Sequence, residues 1–372
     1  QSTEGNQTRY VMVDWQMATP TSKFGAPVIW YDYNDTELSG EEFYERVYTS
    51  NYRSSFIHRN QRFYDSQMVR LYQYHGSAVE PQPIVVDWEV RQAQTSSGET
   101  VTVRAAPSGQ NASLVRQFEN MSAARQYVEE DGSAQVGGIG PYPSERVPAL
   151  EHYRLVDVSE SSAYNASGYA RQVQRTSQTT GIPPRFLTQT NPAWVKTFER
   201  VPGATIQGEG APANTTIRAS VQMRIEESNE TFQYVQQARS DENGEFTMTL
   251  PYATTGYTEY GPENGYTNVS VRSTGNYSFS ASANGTYWTG SADVTEGQVN
   301  GANESATQVS MSEFDLASLL SGGSGSSDGS SSGGSSSGSG DSSSSDGSGS
   351  GSSTDTTSDT TAAVTAPTAR AA

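Results

Sequence analysis

The chain has 372 residues, with 41 acidic against 23 basic side chains, a net charge of −18 and no cysteine. That balance excludes a phosphate-backbone binder, which needs a basic footprint. The missing cysteines exclude disulfide frameworks and thiolate metal sites.

Lysine occurs only at 23 and 196, and every other basic residue is arginine. An acidic, lysine-poor chain is expected of a protein kept soluble in concentrated salt, where surface charge maintains hydration and repulsion. No apolar run reaches the ~18–20 residues needed to cross a bilayer. The chain opens on Gln1 with no signal-peptide pattern, which reads as part of a longer or processed chain. Of 17 asparagines, 11 open an N-x-S/T sequon: Asn6, Asn34, Asn111, Asn120, Asn165, Asn214, Asn229, Asn268, Asn276, Asn284 and Asn303. Such a density fits a chain facing the outside of the cell.

The first part reads as mixed α and β. TRYVMVDW (8–15) is a short apolar strand. Ser39 and Glu42 form a capping box that predicts a helix through Phe43, Val47 and Tyr48. Asp65 is placed to cap a second helix carrying Met68, Leu71 and Tyr72 on one face, ended by Gly76. PIVVDWEV (83–90) and ETVTVRA (99–105) read as strands across a Ser-Ser-Gly turn region. Leu114, Phe118 and Met121 have helical spacing, and HYRLVDV (152–158) closes the part as a strand. The polar stretch 159–192, with Pro183-Pro184, reads as a linker or surface excursion.

The second part reads as all β. In TIRASVQMRI, Ile217, Ala219, Val221, Met223 and Ile225 alternate with polar residues, and Phe246, Met248 and Leu250 do the same. Asn243-Gly244 between these runs predicts a tight hairpin, because both central residues must take positive φ. Further short strands at 266–272 and 276–282 make a small sandwich. From Ser321 to Thr361 every residue is Ser, Gly, Asp or Thr, so no apolar surface offsets the ordering entropy. The fold class is therefore α+β: a mixed central core (1–158), the polar stretch (159–192), an all-β sandwich-like peripheral domain (193–295) and a disordered Ser/Gly/Asp tail (296–372).

The chemical motifs are sparse. His58, His75 and His152 have no metal-ligand spacing, and His75 would complement a helix C-terminus as a cation. Gly137-Gly138-Ile139-Gly140 lacks the Lys-Ser/Thr of a phosphate loop and reads as a bend. Asp241 to Glu245 lacks the twelve-residue calcium pattern. Glu41, Glu42 and Glu45 read as complements of a helix N-terminus rather than a glycosidase acid pair. Trp15, Trp30 and Trp88 read as core rather than sugar platforms. No nucleophile–base pair is legible.

Several segments, in order, resemble the C-terminal region of halophile AglB-type archaeal oligosaccharyltransferases. They are TRYVMVDWQM with KFGAP, DSQMVRLYQYHGS, ALEHYRLVDVSE, WVKTFERVPGATIQGE, DENGEFTMTLPYATTGY and EYGPENGYTNVSVR, spanning about 8–295. The resemblance implies a glycosyltransferase reaction, in which an oligosaccharide passes from a dolichyl phosphate carrier to the Asn of an acceptor sequon. It implies a divalent metal, Mn or Mg, held in a membrane part that this chain lacks. It also implies membrane association through that part, an extracellular face for this one, and an isolated chain that is inactive.

The family's WWDYG element is not present; WYDYN at 30–34 lacks its second Trp and its Gly. The family's lysine motif resembles Lys23-Phe24, with Pro20 where the family has Asp and Pro27 where it has Met or Ile. The acceptor-binding residues so implied are Lys23 and Phe24, with Asp14 and Ile29 as substitutes for the replaced positions. The alternative is a cell-surface binding or structural β-protein on a flexible acidic stalk.

Overall fold

A computed structural model describes residues 9–17, 43–49, 55–108, 113–188 and 192–314. Lys23, Phe24, Ile29, Trp30, Glu41 and Glu42 lie outside them, as does the part of the expected tail (296–372) beyond 314; its residues 296–314 are described and carry a short helix and two strands rather than a disordered start.

The elements of the core, in order, are β1 (Tyr10–Asp14), β2 (Tyr44–Tyr48), β3 (Ser55–Arg59), α1 (Gln61–Asp65) and α2 (Gln67–Tyr74). There follow β4 (Ile84–Val86), β5 (Glu89–Gln94), β6 (Thr100–Ala105), β7 (Val115–Gln117), α3 (Met121–Asp131), β8 (Gln135–Val136) and β9 (Tyr153–Val158). After them come α4 (Ser167–Thr180), α5 (Pro184–Leu187) and β10 (Val195–Arg200).

Three small sheets result, ordered β1-β10-β9, β3-β2-β6-β5 and β7-β4-β8. Their inner faces and α2 share one apolar cluster that includes Phe63, Tyr64, Val69, Leu71 and Leu155.

Several expectations change here. Asp65 ends α1, and Ser66 takes the N-cap position of α2. Leu114 and Phe118 flank the strand β7, paired with β4, and the helix begins only at Met121. Residues 44–48 are a strand, not a helix: β2 pairs antiparallel with β3 and parallel with β6, and Val47 is fully buried between them. Sheet pairing overrides the local capping signal. The polar stretch 159–192 carries α4, whose Tyr169, Val173 and Thr180 face the core at helical spacing. Val195–Arg200 follows it and pairs with both β1 and β9.

The peripheral part holds β11 (Ala204–Glu209), β12 (Thr216–Ile225), β13 (Thr231–Arg239), β14 (Phe246–Leu250), β15 (Val271–Ser273), β16 (Tyr277–Ala283) and β17 (Thr286–Ala292). It ends with α6 (Glu296–Val299), β18 (Thr307–Ser310) and β19 (Ser312–Glu313). One sheet runs β14-β11-β18 and the other β13-β12-β16-β17-β19, with β15 also on β12.

The alternation in β12 buries Ile217, Ala219, Val221, Met223 and Ile225, while β14 buries Phe246, Met248 and Leu250. These inward residues form the filling of a sandwich. Gly208 is dictated by that filling, since a Cβ there would stand 2.0 Å from the Phe246 ring.

The Asn243-Gly244 turn is not a hairpin tip. It links β13 to β14, which lie in different sheets. The hairpin partner of β12 is β13, in register from Thr216↔Arg239 to Arg224↔Thr231. Asp241 organises the corner, its Oδ1 accepting from Asn243 N and Glu245 N at 2.8 Å each. Gly244, at φ +81°, lets the chain pass Ala211, whose carbonyl oxygen would be 2.1 Å from any Cβ.

Candidate functional site

Of the four residues expected at the acceptor, Asp14 alone is described. It ends β1 opposite Val195, and its Oδ1 accepts from Met17 N at 2.9 Å, fixing the turn from which residues 18–42 depart. Trp15, next along, is buried in edge-to-face contact with Tyr169 of α4 and with Trp194, at 5.6 and 6.4 Å between centroids. The chain re-enters at Phe43, directly before β2. Both flanks of the segment bearing Lys23, Phe24 and Ile29 are thus anchored in the core.

A second lysine, Lys196, is buried in β10 beside a cleft of about 1050 Å3. Its Nζ lies 2.6 Å from the Tyr72 carbonyl, 2.8 Å from His75 Nε2 and 4.5 Å from the centre of the Tyr72 ring. Burial drives its pKa down to about 7, against an opposing pull from Glu230. His75 is held well below the ordinary histidine range, by burial first and by Lys196 second.

His75 therefore does not serve α2 as a cation. It occupies the left-handed cap position at φ 55°, and the amine of Lys196 donates to the buried helix-end carbonyl of Tyr72 instead. The signal was present in the sequence, because Lys196 is in phase with the core residue Phe198 two positions on.

The third cluster is ionic. Arg154, on β9, lies between Glu199 of β10 and Glu296 of α6, all three nearly solvent-free. Its Nε and Nη2 donate to Glu199 Oε2 at 3.1 and 2.9 Å, while Nη1 reaches both oxygens of Glu296. Arg9 Nε and the Thr267 hydroxyl donate to the other Glu199 oxygen. The paired carboxylates outweigh desolvation and raise the Arg154 pKa. Each acid is consumed by this network, so neither is available to a substrate.

Among the described residues no three His, Cys, Asp or Glu side chains converge as metal ligands. His58, His75 and His152 stand apart: His58 is buried against Trp88, and His152 Nδ1 lies 2.8 Å from the Pro202 carbonyl. Glu45 pairs with Arg104. The divalent metal implied by the family resemblance therefore has no matching donor set among the described residues, and no chemical step runs through it here. Trp15 and Trp88 are core, as the sequence indicates. Among the described residues no helix is long and apolar enough to cross a membrane.

Residues 203–304 match the family model for the archaeal glycosylation protein B long peripheral domain. Over 338 residues, 87% of this chain, the sequence is 51% identical to the dolichyl-monophosphooligosaccharide–protein glycotransferase AglB of Haloferax volcanii. The match covers 31% of that relative, so the chain spans about a third of its length.

Among solved structures, it is similar to the Archaeoglobus fulgidus oligosaccharyltransferase in complex with Zn and sulfate, at 17% identity and a TM-score of 0.40 over 82% of this chain and 33% of that one. The same enzyme tethered with an acceptor peptide containing the NVT sequon aligns at 18% identity and a TM-score of 0.42, over 82% and 31%. On the sequence matches, residues 203–304 carry the long peripheral domain of the archaeal glycosylation protein B family, and the chain along 87% of its length is similar to AglB.

Proposed function

We propose that this chain is the acceptor-side part of an oligosaccharyltransferase, which moves a dolichyl-phosphate-linked oligosaccharide onto the Asn of N-x-S/T sequons. The observation that carries the reading is the 51% identity to AglB along 87% of the chain. The metal, Mn or Mg, and the groups that activate the acceptor amide belong on this reading to regions outside this chain, which is inert alone. Membrane association comes from the same regions. This part faces the outside of the cell, in keeping with its sequons: Asn120, Asn165, Asn214, Asn229, Asn268, Asn276, Asn284 and Asn303 are all exposed.

The role of the chain is positioning. The acceptor must be held with its Asn aligned, and a misplacement of about 1 Å can reduce the rate a hundredfold. The segment 18–42, tied to the core through Asp14 and Trp15 at one end and β2 at the other, supplies Lys23, Phe24 and Ile29 for that purpose.

The test compares full-length wild type and Lys23→Ala in membranes, at matched expression, for peptide glycosylation. Acceptor KM is expected to rise roughly tenfold, as for the loss of one charge-assisted hydrogen bond. Equal KM and equal turnover would contradict the role given to Lys23. Transfer by the isolated chain would contradict the larger reading.

A further inference from the structure

The core contains a cleft of about 450 Å3 between the β2–β3 pair and α4. Four arginines line it, Arg46, Arg59, Arg171 and Arg175, and no carboxylate does so among the described residues. In a chain of net charge −18 this is a local inversion of sign.

The fold places the arginines there by two periodicities. Arg46 alternates with buried Val47 on β2 and so points away from the Glu45–Arg104 side, its Nη1 donating to Ser55 Oγ at 3.0 Å. Arg171 and Arg175 are four apart on α4, on a stripe beside the buried Tyr169 and Val173. Both are exposed, as is Arg46. Arg59 is fixed at the end of β3: its Nη1 donates to the Gly140 carbonyl and its guanidinium stands 4.9 Å over the Phe63 ring.

Like charges four apart on a helix are unfavourable, and two further guanidiniums around the same cleft add to the repulsion. An entering anion removes that repulsion. Guanidinium forks match the geometry of a phosphate or carboxylate, which lysine and chloride do not. Gln172 and Thr176, four apart on α4, bring neutral hydrogen-bonding groups to the same wall, of the kind that meet sugar hydroxyls. The volume lies in the range of small-molecule sites, and its concave form suits a compact ligand better than a flat membrane surface.

We propose that this cleft binds a compact oxyanion, a phosphate or carboxylate group carried on a sugar. The site lies wholly within this chain and does not depend on the transfer activity.

The test is calorimetric titration of the whole 372-residue chain in molar potassium chloride with inorganic phosphate, glucose 1-phosphate and glucuronate. Saturable binding is expected, at least tenfold weaker in Arg171→Gln/Arg175→Gln and only partly restored in Arg171→Lys/Arg175→Lys, which keep the charge without the fork, with unchanged thermal melts because both side chains are exposed. Tighter binding of glucose 1-phosphate or glucuronate than of phosphate assigns the site to the glycan. Equal binding assigns it to free phosphate and removes the sugar from the proposal. No saturable binding, or equal affinity in the glutamine variant, would overturn it.

Discussion

Arg154 and Glu296 stand 142 residues apart, yet a single guanidinium nitrogen reaches both carboxylate oxygens, at 2.8 and 2.7 Å. The pair is buried on both sides and ties β9 of the central core to α6 at the end of the peripheral sandwich. Because Glu199 occupies the other edge of Arg154, the three groups form one unit rather than separate bridges. Deleting one member leaves a buried charge with half its compensation. Glu296→Ala is expected to destabilise by about 3–5 kcal/mol, read from urea unfolding in molar salt. A loss below about 1 kcal/mol, the level of a surface pair, would show that the network is not a fastener.

Gly138 meets His58 in the core. A Cβ on Gly138 would stand 2.0 Å from His58 Nε2, and the residue sits at φ +79°. Gly132 has nearly the same conformation, φ +73°, with nothing within 4 Å. Gly132→Ala should therefore show the conformational term alone, about 1–2 kcal/mol. Gly138→Ala adds an overpacking term of about 1–3 kcal/mol. Equal losses in the two variants would contradict the contact.

Burial lowers the His58 pKa to about 4, so the folded chain keeps this ring neutral where the unfolded chain protonates it near 6.5. The unfolded state binds more protons between those values, so stability falls as pH drops from 6.5 towards 4. His75, also pushed down, acts in the same direction. His58→Phe should lessen the slope of melting temperature against pH across that window, whatever its absolute stability. A slope unchanged from wild type would show that His58 does not titrate as its burial implies.

The sandwich was legible in the sequence because its strands have one wet face: the alternation from Ile217 to Ile225 has few other readings. The core was less legible because its elements are short and overruled by tertiary pairing. Residues 39–42 carry a helix-start signal, but Tyr44–Tyr48 is held as a strand between β3, which follows shortly in the chain, and β6, which lies distant in sequence. The helix α4 escaped notice because a polar helix needs few apolar anchors, here Tyr169 and Val173. The Asn-Gly signal marked a turn correctly and named the wrong partner strand. Of the site, the arginine cleft was invisible, since Arg46 and Arg175 converge only through packing of α4 on β3.

We further propose that the Ser/Gly/Asp tail contributes no folding energy. From Ser321 to Thr361 it has no apolar side chain to bury. Removing residues 321–372 should leave the melting temperature in molar salt unchanged. A drop of about 4 °C or more, equivalent to about 1 kcal/mol in a small domain, would contradict that proposal.

The central proposal, that this chain holds the acceptor, is tested most directly by photo-crosslinking. A sequon peptide with a photoreactive group next to its Ser/Thr is irradiated in membranes containing the full-length protein, and the adducts are mapped by mass spectrometry. Adducts are expected within the segment that leaves at Met17 and re-enters at Phe43, reduced when unlabelled peptide competes. Competable adducts confined to regions outside this chain would contradict an acceptor-holding role.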